Sequence, residues 1–199
     1  MTGTSGKTIA VIGGGPAGLF AAEVAASAGA VVNLYEAKPS VGRKFLVAGR
    51  GGLNLTHGEP LEQMMQRYRG ENLPVDAWQA ALRDFDNLAI RDWAAGLGVE
   101  TFQASSGRVY PRAMKAAPLL RRWVERLRDR GVTFFMKHRL QQLHAGSPVG
   151  LTFATPEGET LMQADAVILA LGGGSWSMTG SDGEWLSMLE KCGVAVKPL

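Results

Sequence analysis

The sequence predicts an α/β fold in which a parallel sheet is flanked by helices and interrupted by a helical insertion and a small antiparallel β insertion. Three observations carry this expectation. A short apolar run, Ile9 to Ile12, leads straight into a glycine cluster and an Ala-rich segment. A second apolar run, Val31 to Tyr35, follows one helix later and ends in an acid, Glu36. Far downstream a third run, Ala166 to Leu171, again gives way to glycines. Strand-like and helix-like segments in this alternation read as βαβ units.

The first unit is legible residue by residue. Ile9 to Ile12 fits a buried parallel strand. Gly13, Gly15 and Gly18 supply the G-x-G-x-x-G spacing. The first glycine serves the tight turn, the second the approach of a pyrophosphate to the backbone, and the third close packing of helix on sheet. Pro16 suits the first helical turn, and the helix N-terminus offers unpaired N–H groups to a phosphate. Gly29 stops the helix. Glu36, at the end of the second strand, is placed to accept hydrogen bonds from ribose hydroxyls. Three glycines alone are weak evidence, but strand, helix stop, second strand and acid agree on a Rossmann-like unit for an adenine dinucleotide. The acid favours a free ribose 2′-OH, hence FAD or NAD rather than NADP.

After Glu36 a long glycine-rich loop, residues 37–60, shows almost no periodicity, and loops of that length are usually functional. From Leu61 to Leu97 the pattern is helical. Leu61, Met64, Met65 and Tyr68 share a face, then Val75, Trp78 and Leu82, then Ile90, Trp93 and Leu97. These Met and Trp stripes read as core rather than as a cofactor box. Val99 to Phe102 is a strand, followed by a polar, turn-rich loop over 105–118. Pro118 starts a helix with Leu120, Trp123, Val124 and Leu127 inward, closed by Gly131. Val132 to Leu140 is a strand. Leu151 to Ala154 and Thr160 to Gln163 flank the turn signal Pro156-Glu157-Gly158 and read as a hairpin. Ala166 to Leu171 is continuous and apolar, hence a buried strand, and a last helix spans about Glu184 to Lys191. The expected division is 1–60 for the βαβ unit and its loop, 61–98 for the helical insertion, and 99–199 for the remainder of the dinucleotide domain.

Composition narrows the partners. A chain of 199 residues can bury a sizeable core. The net charge of +3 comes partly from the stretch Arg112 to Arg130, where Arg121, Arg122, Arg126, Arg128 and Arg130 interleave with Glu125 and Asp129. This reads as a solvated helix face rather than a nucleic-acid patch, since no recognition motif lies beside it. Cys192 is the sole cysteine, which excludes a disulfide framework, a Cys-x-x-Cys relay and a thiolate zinc site within the chain. His57, His138 and His144 show no i,i+4 pairing and no partner acids, so no metal site is expected. Residues 8–35 carry one charge, Glu23, and superficially resemble a secretion signal. The glycine cluster breaks that run, and it is too polar to span a bilayer. The expectation is a cytoplasmic protein acting on a small molecule, with neither nucleic acid nor membrane as partner.

Segment order then separates the two cofactors. A plain NAD domain would continue with regular alternation of strands and helices. This chain leaves that pattern after the second strand, inserts helices, adds an antiparallel hairpin and only then returns to a parallel strand. That is the layout of the FAD domain in glutathione-reductase-like flavoproteins, and Ala170-Leu171-Gly172 supplies its second mark, a strand ending in small residues.

Four segments in order, VIGGGPAGLFAA, VGRKFLVAGRGGLNLTH, SSGRVYPRAMKAAPLL and ALGGGSWSMTGSDG, span Val11 to Gly183. Together they resemble the BaiN-like NAD(P)/FAD-dependent oxidoreductases, bacterial flavoproteins of the glutathione-reductase superfamily. The resemblance implies bound FAD, with NAD(P)H as a candidate electron donor. It implies that Gly13, Gly15, Pro16, Ala17 and Gly18 wrap the pyrophosphate, that Glu36 meets the adenosine ribose, and that Ala37 is also cofactor-binding. Arg43 and Lys44 stand where the family keeps a basic pair, able to offset cofactor phosphate or the reduced anionic flavin. Gly51, Gly52, Leu53 and Asn54 would lie on the flavin side, Leu140 at adenine through its backbone, and Ala170 and Gly172 near the pyrophosphate.

There are departures. Many relatives carry Arg-Cys-Asn where this chain has Gly52-Leu53-Asn54, so chemistry that uses that cysteine is absent. Relatives are longer, with an inserted substrate domain and a late Gly-Asp segment. The chain is therefore expected to be an N-terminal portion that stops inside a strand at Val194 to Leu199. No general acid or base stands out, and Tyr110 is weighed both as a flavin-facing and as a structural tyrosine. The implied activity is flavin-mediated hydride transfer on an unsaturated or carbonyl-bearing small molecule. The alternatives are a non-catalytic flavin- or nucleotide-binding module or truncated gene product and, less favoured, a flavin-dependent tRNA-modifying enzyme.

Overall fold

The structure, a computed structural model, describes residues 6–70, 74–174, 178 and 183–196. They group into two compact units, one of residues 1–47 with 124–199 and the other of residues 48–123.

In the first unit four parallel strands lie in the order β10-β1-β2-β6. They are β1 (Thr8–Ile12), β2 (Val31–Glu36), β6 (Thr133–Met136) and β10 (Ala166–Leu169). Helix α1 (Pro16–Ser27) joins β1 to β2. It ends where Gly29 takes a φ of 85°, and the Gly29 and Ala30 N–H groups bond back to the carbonyls of Ala26 and Ala25. A separate antiparallel sheet, β7-β8-β9, is built from β7 (Arg139–His144), β8 (Val149–Thr155) and β9 (Gly158–Ala164). This is a Rossmann-type α/β fold carrying an antiparallel β insertion.

Strand alternation explains the layering. Ala10, Ile12 and Tyr35 turn to one face and form a single core with Leu151, Phe153 and Ala164 of the antiparallel sheet. The Tyr35 ring stacks on Phe135 at 4.8 Å and on Phe153 at 4.4 Å. Val11, Val32 and Leu34, of opposite parity, are also fully buried and face the side of α1, where Leu19 and Ala22 are buried in turn. Phe153 is central to the first of these cores and has no exposed surface. Phe153→Ala is expected to cost about 3–5 kcal/mol, read as a lowered denaturant midpoint at unchanged slope.

Glu23, the single charge of residues 8–35, is tied down rather than solvated. Glu23 on α1 is buried and accepts hydrogen bonds from Arg126 Nη1 (2.9 Å) and Arg130 Nη1 (3.0 Å), both on α6 (Ala116–Asp129). Arg128 lies 5.6 Å over the Phe134 ring. Arg126 and Arg130 thus clamp a buried acid, while Arg121, Arg122, Arg128 and Arg130 are exposed, as a solvated helix face requires. The charge pattern did not show the clamp because the buried acid lies more than a hundred residues upstream.

In the second unit β3 (Thr56–His57), β5 (Arg108–Pro111) and β4 (Thr101–Gln103) form an antiparallel sheet in that order. Helices α3 (Leu61–Met65), α4 (Val75–Asp84) and α5 (Asn87–Gly96) belong to the same unit. Asp86 caps α5, its carboxylate accepting from the Leu88 and Ala89 N–H groups. Trp93 meets Trp123 edge-on at 4.7 Å, and Val109 and Leu119 are among the fully buried side chains.

Several segments differ from their sequence reading. The aperiodic loop after Glu36 contains α2 (Arg43–Ala48) and β3, both too short to show a period. The loop over 105–118 contains β5, and the strand expected at Val99 to Phe102 lies at Thr101–Gln103. Val132 to Leu140 is two strands in different sheets, broken at Lys137, whose φ is 59°. The expected helix start at Pro118 falls at Ala116. Val194 to Val196 form no strand, and residues 197–199 lie outside the described ones. Among the described residues β10 pairs only with β1, and Leu169 is 37% exposed, so its apolar run does not mark a strand buried on both sides. The units also divide at 47 and 123 rather than at 60 and 98. The pairing of β3 with β5 closes the helical segment into a body with strands from both of its flanks.

Candidate functional site

β1 feeds the glycine turn at the middle of the parallel sheet, where the chain crosses to β2 on one side while β10 lies on the other. In open α/β sheets the crevice at the carboxyl ends of such strands is where ligands bind. Gly13 has a φ of 110°, and a Cβ there would strike the Ala170 carbonyl oxygen. The Ala170 N–H in turn donates to the Ile12 carbonyl at 2.8 Å. At Gly18 a Cβ would fall on the Gly13 carbonyl, so this glycine lets α1 seat against the strand. Gly15 is different: among the described residues, its chain neighbours aside, a Cβ there meets nothing within 4 Å. The turn is packed at its first and third glycines and open at its second. Pro16 and Ala17 are exposed on the first turn of α1, and Gly172, with a φ of 75°, is exposed just past Ala170.

Glu36 is fixed beside this opening. One carboxylate oxygen accepts from the Gly14 N–H and the other from the Lys38 N–H, both at 2.8 Å. Each oxygen keeps acceptor capacity for a further donor such as a sugar hydroxyl. The strand end is held by His138 N–H donating to the Glu36 carbonyl at 3.0 Å and by Lys137 N–H donating to the Lys38 carbonyl at 3.2 Å. Half-buried Ala37 lies between these two anchors. Gly42 N–H donates to the Gly14 carbonyl at 2.8 Å, so the exposed side chains of Arg43 and Lys44 start from a point tied to the glycine turn. Leu140 sits in β7 opposite Phe153 and packs against the core, next to a bulge. Glycines 14 and 42 were not singled out in the sequence, because neither belongs to the motif spacing.

The expected flavin-side residues lie in the second unit. Gly52 has a φ of 125°, and a Cβ there would come within 2.8 Å of the Met114 side chain and 3.5 Å of the Tyr110 ring. Leu53 is buried and its N–H donates to the Met114 carbonyl at 2.9 Å, while Gly51 and Asn54 are exposed. Tyr110 is half-buried in β5, with its ring 6.0 Å from Phe102.

Residues 7–199 match the model of the HI0933-like protein Rossmann domain. The chain belongs to that HI0933-like family. Its fold is similar to that of a 3-ketosteroid-Δ4-(5α)-dehydrogenase from Rhodococcus jostii RHA1, at a TM-score of 0.60 and 20% identity over 86% of this chain and 47% of that one. A flavocytochrome c3 fumarate reductase matches at 0.65 and 20% identity, over 85% and 34%. THI4 of Thermovibrio ammonificans matches at 0.55 and 18% identity, over 95% and 64%. The chain thus spans less than two thirds of each of these proteins.

The HI0933-like domain holds a second polar centre that its sequence did not reveal. Glu59 is buried and takes a two-pronged hydrogen bond from Arg67, with Nε and Nη2 each at 2.6 Å from a carboxylate oxygen. Asn87 Nδ2 donates to the Glu59 carbonyl at 2.7 Å. His57 Nδ1 is 3.8 Å from the Glu59 carboxylate, which corrects the reading that no acid accompanies that histidine. The pairing of a loop acid with a residue eight positions on follows no helical or strand period, so nothing in the sequence announced it. Among the described residues no group of three or more His, Cys, Asp or Glu side chains could hold a metal, and no helix is long and apolar enough to cross a membrane.

Arg67 holds the Glu59 carboxyl below its ordinary value of 4.5. A depressed folded value stabilises the fold above 4.5, and that contribution disappears as the pH falls through 4.5 and then through the lower folded value. Glu59→Gln is therefore expected to be less stable than the unaltered chain at neutral pH, with the two melting temperatures converging as the solution is acidified. Parallel melting curves across the acid range would remove the pairing as a source of stability.

Proposed function

We propose that this chain carries the FAD-binding part of a flavin-dependent oxidoreductase of the BaiN-like type, acting in the cytoplasm on a small unsaturated or carbonyl-bearing molecule with NAD(P)H as electron donor. The observation that carries the reading is the opening at Gly15 beside a carboxylate already fixed at the end of β2. The donor and acceptor set fits FAD. Residues 13–18 would hold the pyrophosphate at the N-terminus of α1, Glu36 and Ala37 the adenosine ribose, and Leu140 adenine through its backbone. Ala170 and Gly172 would flank the phosphates, with Arg43 and Lys44 offsetting their charge. Gly51, Gly52, Leu53 and Asn54 would serve the flavin side, where Tyr110 stands next to Gly52. FAD supplies the hydride chemistry, which none of the twenty side chains can perform alone. The chain's own residues bind and orient it.

Purification of the chain as given, followed by visible spectra before and after heat release, tests the reading. Oxidised-flavin bands that move to the supernatant on heating, and return on adding FAD, are the expected result. A colourless protein that takes up no added FAD would remove the proposal. Steady-state oxidation of NADH against NADPH with an artificial acceptor then tests the donor.

A further inference from the structure

Gly14, inside the glycine turn, is a glycine that its own backbone does not call for. It is buried, and its φ lies outside the left-handed region. What excludes a side chain there is space. A Cβ at Gly14 would stand 2.5 Å from Val41 Cγ1, and 3.0 Å from both Val41 Cβ and Glu36 Oε2. Half-buried Val41 therefore takes the place of the missing side chain, bordering the same point as the carboxylate oxygen.

Both backbone groups of Gly14 hold this contact together. Its N–H donates to Glu36 Oε2 and its carbonyl accepts from the Gly42 N–H, each at 2.8 Å. The chain thus leaves β2 at Glu36 and returns at Val41 to seat that side chain against the turn. The other oxygen, Oε1, is held by the Lys38 N–H of the same returning segment. An apolar group against a carboxylate lowers the local dielectric and strengthens the hydrogen bonds that the carboxylate accepts.

We propose that Val41 is a positioning residue for the adenosine ribose: wedged over Gly14, it holds the Glu36 carboxylate in the orientation that accepts from the ribose 2′-hydroxyl. This role rests on the FAD reading, and it falls to a residue outside the glycine motif.

ADP and 2′-deoxy-ADP carry the same adenine and phosphates, and only the first has the 2′-hydroxyl. Each is titrated by calorimetry into the flavin-free full chain. The unaltered chain is expected to prefer ADP by at least about tenfold, as one hydrogen bond to a charged acceptor provides. Gly14→Ala should erase that preference, because the methyl displaces the carboxylate. Val41→Ala should reduce it about threefold, whereas Val41→Ile, which keeps both γ-carbons, should retain it. Gly14→Ala/Val41→Ala moves a methyl from one wall to the other, and the preference should return to within about twofold of the original. A mere loss of fold stability would weaken both nucleotides alike and leave their ratio in place. An unchanged ratio in Val41→Ala would overturn the proposal, as would a double variant no better than Gly14→Ala. If the unaltered chain binds ADP without preference, Glu36 does not meet the 2′-hydroxyl, and the proposal falls while the dinucleotide reading stands. If it binds neither nucleotide nor FAD, the reading itself fails and the proposal with it. Val41→Ala and Val41→Ile decide the matter even if Gly14→Ala does not fold.

Discussion

Gly18→Ala is expected to lower stability by about 3 kcal/mol, at the upper end of what overpacking costs, and to abolish flavin retention. The added methyl would meet two fixed objects, the Gly13 carbonyl oxygen and, at 3.3 Å, the Ala170 Cβ. Neither is the end of a flexible side chain, so α1 must move off the strand, and the turn that it supports moves with it. Gly15→Ala is the informative contrast. Among the described residues, chain neighbours aside, no atom stands within 4 Å of the new methyl, so the stability change should stay below about 1 kcal/mol. Yet the methyl projects into the space assigned to the pyrophosphate, so FAD affinity should still fall by at least about tenfold. Urea melts and flavin content of the two variants separate the roles. If Gly15→Ala retained FAD fully, the phosphates would not pass over that position.

Glu36→Ala should weaken FAD binding about a hundredfold while leaving a folded protein, since hydrogen bonds to a charged acceptor are worth about 1.5–3 kcal/mol each. The carboxylate does two things. It organises the turn by accepting from the Gly14 and Lys38 N–H groups, and it keeps lone pairs for the sugar hydroxyls. Glu36→Gln should not rescue binding, because its amide NH2 would confront one of those two N–H donors. Titrating each apoprotein with FAD and following the quenching of flavin fluorescence gives the dissociation constants. Undiminished affinity in Glu36→Ala would take the ribose role away from this residue.

Much of the first unit could be read from the chain because its determinants are local. The strand, the glycine spacing, the helix stop at Gly29 and the acid at Glu36 lie within one stretch, and each follows a period or a backbone rule. Ala170 was legible for a related reason, a strand ending in small residues. What escaped depends on distant partners. Arg126 and Arg130 looked like surface until Glu23 was found beneath them, and β10 looked buried because composition does not say how many neighbours a strand has. Lys137 gave no sign that it breaks one apolar run into strands of two sheets, since lysine is not a residue that marks a left-handed turn. The polar centre of Glu59, Arg67 and His57 combines a loop, a helix end and a two-residue strand, none long enough to carry a pattern.

The meeting of Gly13 with Ala170 also bears on when the glycine turn matures. Its wall is made by residues more than 150 positions apart, and Thr8 N–H is likewise held by the Asp165 carboxylate. A nascent chain emerging from the ribosome can form β1, α1 and β2 early, since those contacts are local. It cannot close the turn until β10 has been made and has threaded in beside β1. Until β10 has emerged the glycine turn stays unfinished, and the apolar edge of β1 stays open to chaperones until that strand covers it.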